Sequence, residues 1–237
     1  MNVSRETSRS AEIRAGLRDT ALVGLGLIPL GLAFGLLMTQ AGFAWWWTPI
    51  FSVVIYAGSM EFLAISMVTA GVGPVSAAVA GLMVNFRHIF YGLTFPRHLI
   101  RSRLGRAYST YALTDESYAI ASATRPRSGA RVLTIQLLCQ TLWVVPGIVG
   151  ALAGRVIPEG VRGMEFALTA LFIVLAYEAF AASRDISAVL IAAGIGVVAA
   201  LAVPGNVLMV ALVVYFAVLL VRFWSPRLDA ALRWEAK

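Results

Sequence analysis

The chain has 237 residues, 59% of them hydrophobic and only 13% charged, with a mean hydropathy of +0.82. A soluble domain typically carries about 25% charged residues, so this composition excludes an ordinary water-soluble fold and predicts a polytopic membrane protein. The net charge of +7 comes almost wholly from arginine. The arginines gather in tails and loops beside apolar segments, as the positive-inside rule describes, and not in a stripe of the kind that binds nucleic acid.

Residues 1–19 read as a basic cytoplasmic tail, because M-N-V-S-R-E-T-S-R-S is too polar to open a signal peptide. From Thr20 to Met60 there is no charged residue, a stretch too long for one span of about 20 residues. The first predicted span runs from about Ala21 to Gln40. Pro29 kinks or breaks a helix, and Gly31 and Gly35 have the G-x-x-x-G spacing of close helix contacts. Two readings stand: a tightly packed helix, or a discontinuous one with free backbone groups at a site. Trp45, Trp46 and Trp47 suit an interfacial aromatic belt. A second apolar segment runs from about Pro49 to Ala70, with Ala57-Gly58-Ser59 in its middle, and a third from about Val75 to Phe95.

A basic loop, Arg97 to Arg106, comes next. The run Y-A-L-T-D-E-S-Y-A-I-A from Tyr111 to Ala121 is too short and polar for an ordinary span; it reads as a surface helix, a half-helix or a re-entrant piece. Beyond Arg131 a span is predicted at about 132–153, broken at Pro146-Gly147, and another at about 164–182, with Glu178 at its interface. Pro204-Gly205-Asn206 divides the uncharged run from Ile186 to Val221 into two more. The expected architecture is an all-α transmembrane bundle of about seven spans (six to eight), with broken or re-entrant helices in the N-terminal half. It forms one transport domain over 20–224, followed by a cytoplasmic tail, 225–237. Topology leaves a conflict. Charge places the N-terminal tail, Arg125 to Arg131 and the C-terminal tail on one side, yet three full spans would put Arg97 to Arg106 on the other. Either the Tyr111 region crosses, or one early segment is re-entrant. Met60-Glu61-Phe62 recurs as Met164-Glu165-Phe166, a weak sign of an inverted repeat.

Ionisable groups at membrane depth are costly and usually face a cavity, partner or pathway. Glu61 reads as a proton-coupling carboxylate, or as a structural one satisfied by a neighbouring arginine. Arg87 is permanently charged and grips carboxylates with two prongs, as an amino acid substrate would require; alternatively it snorkels to headgroups. His88 is a candidate proton relay. Gly58, Ser59, Asn85 and the backbone around Pro29 and Gly31 are candidates for the substrate's polar end, with Phe62 and Leu63 toward an aliphatic side chain. Asp115 and Glu116 are adjacent, do not share a helix face, and read as a gate contact or as part of a helix cap at Thr114 or Asp115. No metal site or cofactor is expected: His88 and His98 are the only histidines, Cys139 is the only cysteine, and there is no H-E-x-x-H or phosphate loop. An enzyme is not expected either, since Ser59 and His88 pair only by coincidence.

Several stretches together resemble the AzlC/BrnF family, the large subunits of branched-chain amino acid exporters. They are G-L-I-P-L-G-L-A-F-G from Gly26, Y-A-G-S-M-E-F from Tyr56, V-N-F-R-H-I-F-Y from Val84, T-D-E-S-Y-A-I from Thr114 and G-M-E-F-A-L-T-A-L-F from Gly163. The resemblance implies a bacterial inner-membrane permease that exports branched-chain amino acids, energised by the proton motive force. It also implies a small membrane partner of the AzlD/BrnE type. Many members carry Gln where this chain has Glu61. The expected function is a proton-coupled secondary exporter of branched-chain or similar hydrophobic amino acids. A passive small-solute channel and a non-transporting scaffold subunit are the alternatives.

Overall fold

The structure, a computed structural model, describes residues 2–156, 184–205 and 207–234, with 173, 176, 177 and 180. The span predicted at 164–182 falls largely outside them, as do Glu178 and the second Met-Glu-Phe. The fold is all-helical. Two compact units divide it, Met1–Ala70 with Asn85–Val161, and Gly71–Val84 with Arg162–Lys237.

The first unit is built on two long helices, α1 (Asn2–Gln40) and α8 (Gly129–Gly154). The 26 residues of α8 span about 39 Å at 1.5 Å per residue, enough to cross a bilayer core. The two helices run parallel, because Gly16 lies against Thr134, Gly31 against Pro146, Gly35 against Ala151 and Thr39 against Gly154. Glycine makes this seam possible. A Cβ at Gly35 would fall 1.8 Å from the Gly147 carbonyl oxygen, and one at Gly150 would fall 2.1 Å from that of Leu32. Of the two readings of Pro29 the continuous helix is the one observed, and the break predicted at Pro146-Gly147 is corrected. α1 passes unbroken through Pro29, and α8 through Pro146. Each proline costs one internal hydrogen bond, and both helices continue past it. The polar residues ahead of Thr20 continue α1. They dock on the start of α8, where the Ser128 hydroxyl donates to Glu12 (2.7 Å) and Arg131 Nε donates to Asp19 (2.6 Å).

Depth along α8 locates everything else in this unit. The second apolar segment is two half-helices, α2 (Trp47–Val54) and α3 (Gly58–Thr69). α2 starts near Gly147, where Thr48 packs. α3 restarts lower, with Gly58 under the Trp143 ring. It turns back so that Phe62 meets Phe34 at 5.4 Å. The chain then resumes with α4 (Pro74–Asn85), most of which belongs to the second unit, and α5 (Arg87–Thr94). Arg97–Leu99 form one 3-10 turn. From there α6 (Arg103–Tyr111) rises past Leu133 to Gln140, and α7 (Asp115–Thr124) descends to Val132. Thus α2–α3 and α6–α7 are re-entrant hairpins that enter from opposite ends and meet halfway along α8. Their tips touch: the Tyr111 hydroxyl donates to the Val53 carbonyl at 2.7 Å, and the Tyr56 and Tyr111 rings lie 5.6 Å apart.

This arrangement settles the charge conflict. Leu99 and Ile100 abut Gly129, so Arg97 to Arg106 share an end with Arg14, Arg18 and Arg131. The run from Tyr111 to Ala121 reaches mid-depth and returns to the basic end, while Trp45 to Trp47 mark the opposite end.

In the second unit, α9 (Ile186–Ala202) and α10 (Val207–Trp224) pack together and leave an open apolar groove of about 390 Å³ lined by residues such as Ile191, Val198 and Val214. Arg222, 6% exposed, donates to Asp185 at the start of α9 (2.7 Å) and to Asp229 on the short α11 (Pro226–Leu232; 2.6 Å). Burial disfavours the Asp185 charge, but bonds from the Ser187 hydroxyl, Arg222 and the Ala188 N–H outweigh it and bring its pKa down to about 2.

Candidate substrate site

The tip of the first hairpin is strained. Tyr56 joins α2 to α3 with φ at +42°, a left-handed conformation that is unusual for a bulky residue. Its ring is only 5% exposed. The bend lets Gly58 open α3 directly beneath the Trp143 indole; a side chain at Gly58 would push that ring away.

Glu61 lies on the first turn of α3 and is completely buried. The Ser52 hydroxyl donates to its Oε2 at 2.8 Å, and the Trp143 indole N–H reaches both oxygens, at 3.1 and 3.2 Å. One carboxylate therefore ties together α2, α3 and α8. Its partners among the described residues are a hydroxyl and an indole, not the neighbouring arginine that a purely structural carboxylate was expected to recruit.

Arg87, the first residue of α5, reaches the tip of the second hairpin. Nε and a terminal nitrogen grip the two Asp115 oxygens at 2.7 and 2.5 Å, and the same terminal nitrogen lies 3.4 Å from the Ser59 hydroxyl. The guanidinium therefore points at mid-depth, not along a snorkelling path to headgroups. Thr114 caps α7 in a capping box with Ser117, as one of the two cap positions expected. Asp115 follows as the first helical residue. The remaining expected residues are more dispersed. His88 contacts the Asn85 carbonyl at 3.1 Å and the Tyr91 ring at 5.4 Å, away from Glu61. Asn85 Oδ1 is buried with no hydrogen-bond partner. Gly31 belongs to the α1–α8 seam, where it backs onto the Trp143 carbonyl, whereas Pro29 is exposed on α1.

Between the hairpin tips lies a cavity of about 20 Å³, lined by Leu27, Tyr56, Gly58, Thr114, Glu116, Cys139 and Trp143. It has room for about one water, so the tips stand closed. Two half-helices, α3 and α7, begin at this cavity, with Gly58 and Thr114 in its wall. Their N-termini carry partial positive charge from the helix dipole, which suits an anionic group at mid-depth.

Sequence reasoning missed Tyr56, Trp143, Cys139 and Ser52. The available signal was a Trp and two Gln residues in the middle of α8, a span that had looked plain. Gln136 donates to the Ser109 and Ala112 carbonyls, and Gln140 joins Tyr108 and Tyr111. Between them they fasten the second tip.

A family model described as AzlC protein matches residues 23–157, the segment that contains both hairpins and α8. The chain belongs to the AzlC family. It is 30% identical over 200 residues to the branched-chain amino acid transport protein AzlC of Bacillus subtilis, covering 83% of this chain and 79% of that protein. The inner membrane protein YgaZ of Escherichia coli is 29% identical, over 79% and 82% of the two chains. An uncharacterized membrane protein of Helicobacter pylori is 32% identical, over 68% and 72%. No solved structure matches. The AzlC assignment agrees with the resemblance read from the motifs, and multi-pass membrane residence follows from it together with the long apolar helices.

Proposed function

We propose that this AzlC-family chain is a proton-coupled secondary exporter of branched-chain or similar hydrophobic amino acids in the bacterial inner membrane, with its C-terminus in the cytoplasm. The observation that supports it most is the meeting of two re-entrant hairpins, whose half-helices both begin at one mid-depth cavity. Broken helices of this kind are where secondary transporters hold the carboxylate of a substrate. Arg87 adds a two-pronged carboxylate partner beside the α7 N-terminus. Leu27, Cys139 and the Trp143 ring supply an apolar wall for an aliphatic side chain. Glu61, buried and held by neutral donors, is the group that takes and releases the coupling proton. A small AzlD-type membrane subunit completes the proposed permease.

The test is uptake of labelled leucine into inverted membrane vesicles bearing a pH gradient, acid inside, with and without the small subunit. Gradient-driven accumulation that Glu61→Gln and Arg87→Ala each abolish is the expected result. Equilibration without a gradient would mean a channel, and no leucine movement under any condition would mean a scaffold.

A further inference from the structure

We infer that the Arg87–Asp115 pair is a lock for zwitterions: an α-amino acid replaces the pair pole for pole, its carboxylate on Arg87 and its ammonium on Asp115. This rests on the reading of the cavity as the substrate site. A guanidinium edge grips one carboxylate at a time with two prongs, and the edge that faces the site already holds Asp115. A substrate carboxylate binds there only by displacing Asp115. Displacement leaves a partly buried aspartate beside the cavity without its cation, which is costly. The side chains of the pair are 39% and 43% exposed, so both are accessible to an arriving partner, and Asp115 lies in sequence between Thr114 and Glu116 of the cavity wall. A molecule that brings its own ammonium, a bond or two from its carboxylate, repairs the loss. A keto acid satisfies Arg87 and strands Asp115; an amine satisfies Asp115 and strands Arg87. Only the zwitterion leaves both members of the pair matched.

The experiment is ligand-induced stabilisation of the purified full-length protein, measured as a shift in melting temperature. The ligands are leucine, 4-methyl-2-oxopentanoate and 3-methylbutylamine, which share the isobutyl side chain. Sites built to pair a polar group reject analogues that lack it. At these exposures the wild type should half-saturate with leucine at about ten-fold lower concentration than with either analogue, or better. Asp115→Asn should shift the preference toward the keto acid, and Arg87→Gln toward the amine. Keto acid or amine matching leucine on the wild type overturns the lock, as does loss of leucine binding in both variants without opposite shifts. Those outcomes leave the amino acid site standing. A wild type that no amino acid stabilises removes the site itself. The wild-type comparison decides the matter even if a variant fails to fold.

Discussion

Replacing Gly35 with alanine tests the central seam. The added methyl carbon would lie 1.8 Å from the Gly147 oxygen and 2.6 Å from the Ala151 nitrogen. Real Cβ atoms essentially never come closer than 3.0 Å. The obstacles are backbone on a helix that cannot swing aside, so α1 and α8 would have to part by roughly 1 Å, and overpacking of this sort costs about 3 kcal/mol. For a chain of this size the melting temperature should fall by about 6–12 °C. Gly26 is the control. It sits in the same helix with nothing within 4 Å of an added Cβ, so alanine there should be neutral or gain up to about 1 kcal/mol from helix propensity. Melting of both variants in one detergent, followed by tryptophan fluorescence, makes the comparison. Should Gly35→Ala melt with or above the wild type, the close parallel seam is wrong, and the depth scale built on α8 goes with it.

Four further outcomes are expected. Cysteines placed at Arg101 and Arg127 should be labelled by an impermeant reagent from the same face of oriented vesicles, and one at Trp45 from the opposite face; labelling of Arg101 and Trp45 from one face would contradict the re-entrant second hairpin. Glu61→Gln should keep the fold, whereas Glu61→Leu strands the Ser52 and Trp143 donors at roughly 1–3 kcal/mol each, so a stability loss in the leucine variant alone is the signature. Arg125 ends α7 with φ at +46° on an exposed turn, and Arg125→Gly should raise stability by about 1 kcal/mol by removing that strain. The Asp185 carboxylate has a folded pKa of about 2 against an ordinary 3.8, so the stability it lends is full above about pH 4 and drains away as pH falls toward 2. That acid-side loss, read from the unfolding curve, should shrink in Asp185→Asn.

The all-helical membrane class was legible because charge is scarce over long stretches, and the basic clusters gave the correct end for Arg14 and Arg131. Proline and glycine misled. Pro29 and Pro146 look like breaks, yet both lie inside continuous helices, Pro29 exposed and Pro146 buried against Gly31. The true break falls at Tyr56, where no proline stands and the residue is disfavoured in the conformation it adopts. No local propensity announces that turn. It is imposed by contacts distant in sequence, with Tyr111 from one side and Trp143 next to Gly58 from another. The second hairpin was legible to the extent that its run was too short and polar to cross, and its cap at Thr114 followed from local chemistry.

Pairing was the part that sequence could not supply. A neighbouring arginine was the expected partner of Glu61 in a structural role. Chain reversal at Tyr56 instead turns Glu61 toward α8, and Arg87 meets a carboxylate 28 residues away. The separation matters for mechanism. A carboxylate bound to a guanidinium cannot take a proton without breaking an ion pair, whereas one held by a hydroxyl and an indole can do so and leave every cation matched. On the proposed reading this divides the labour, with Asp115 and Arg87 answering to the poles of the substrate and Glu61 to the proton. Trp143 touches both sides of that division, since its N–H holds Glu61 while its ring walls the cavity, which makes it the side chain through which a change at one is felt at the other.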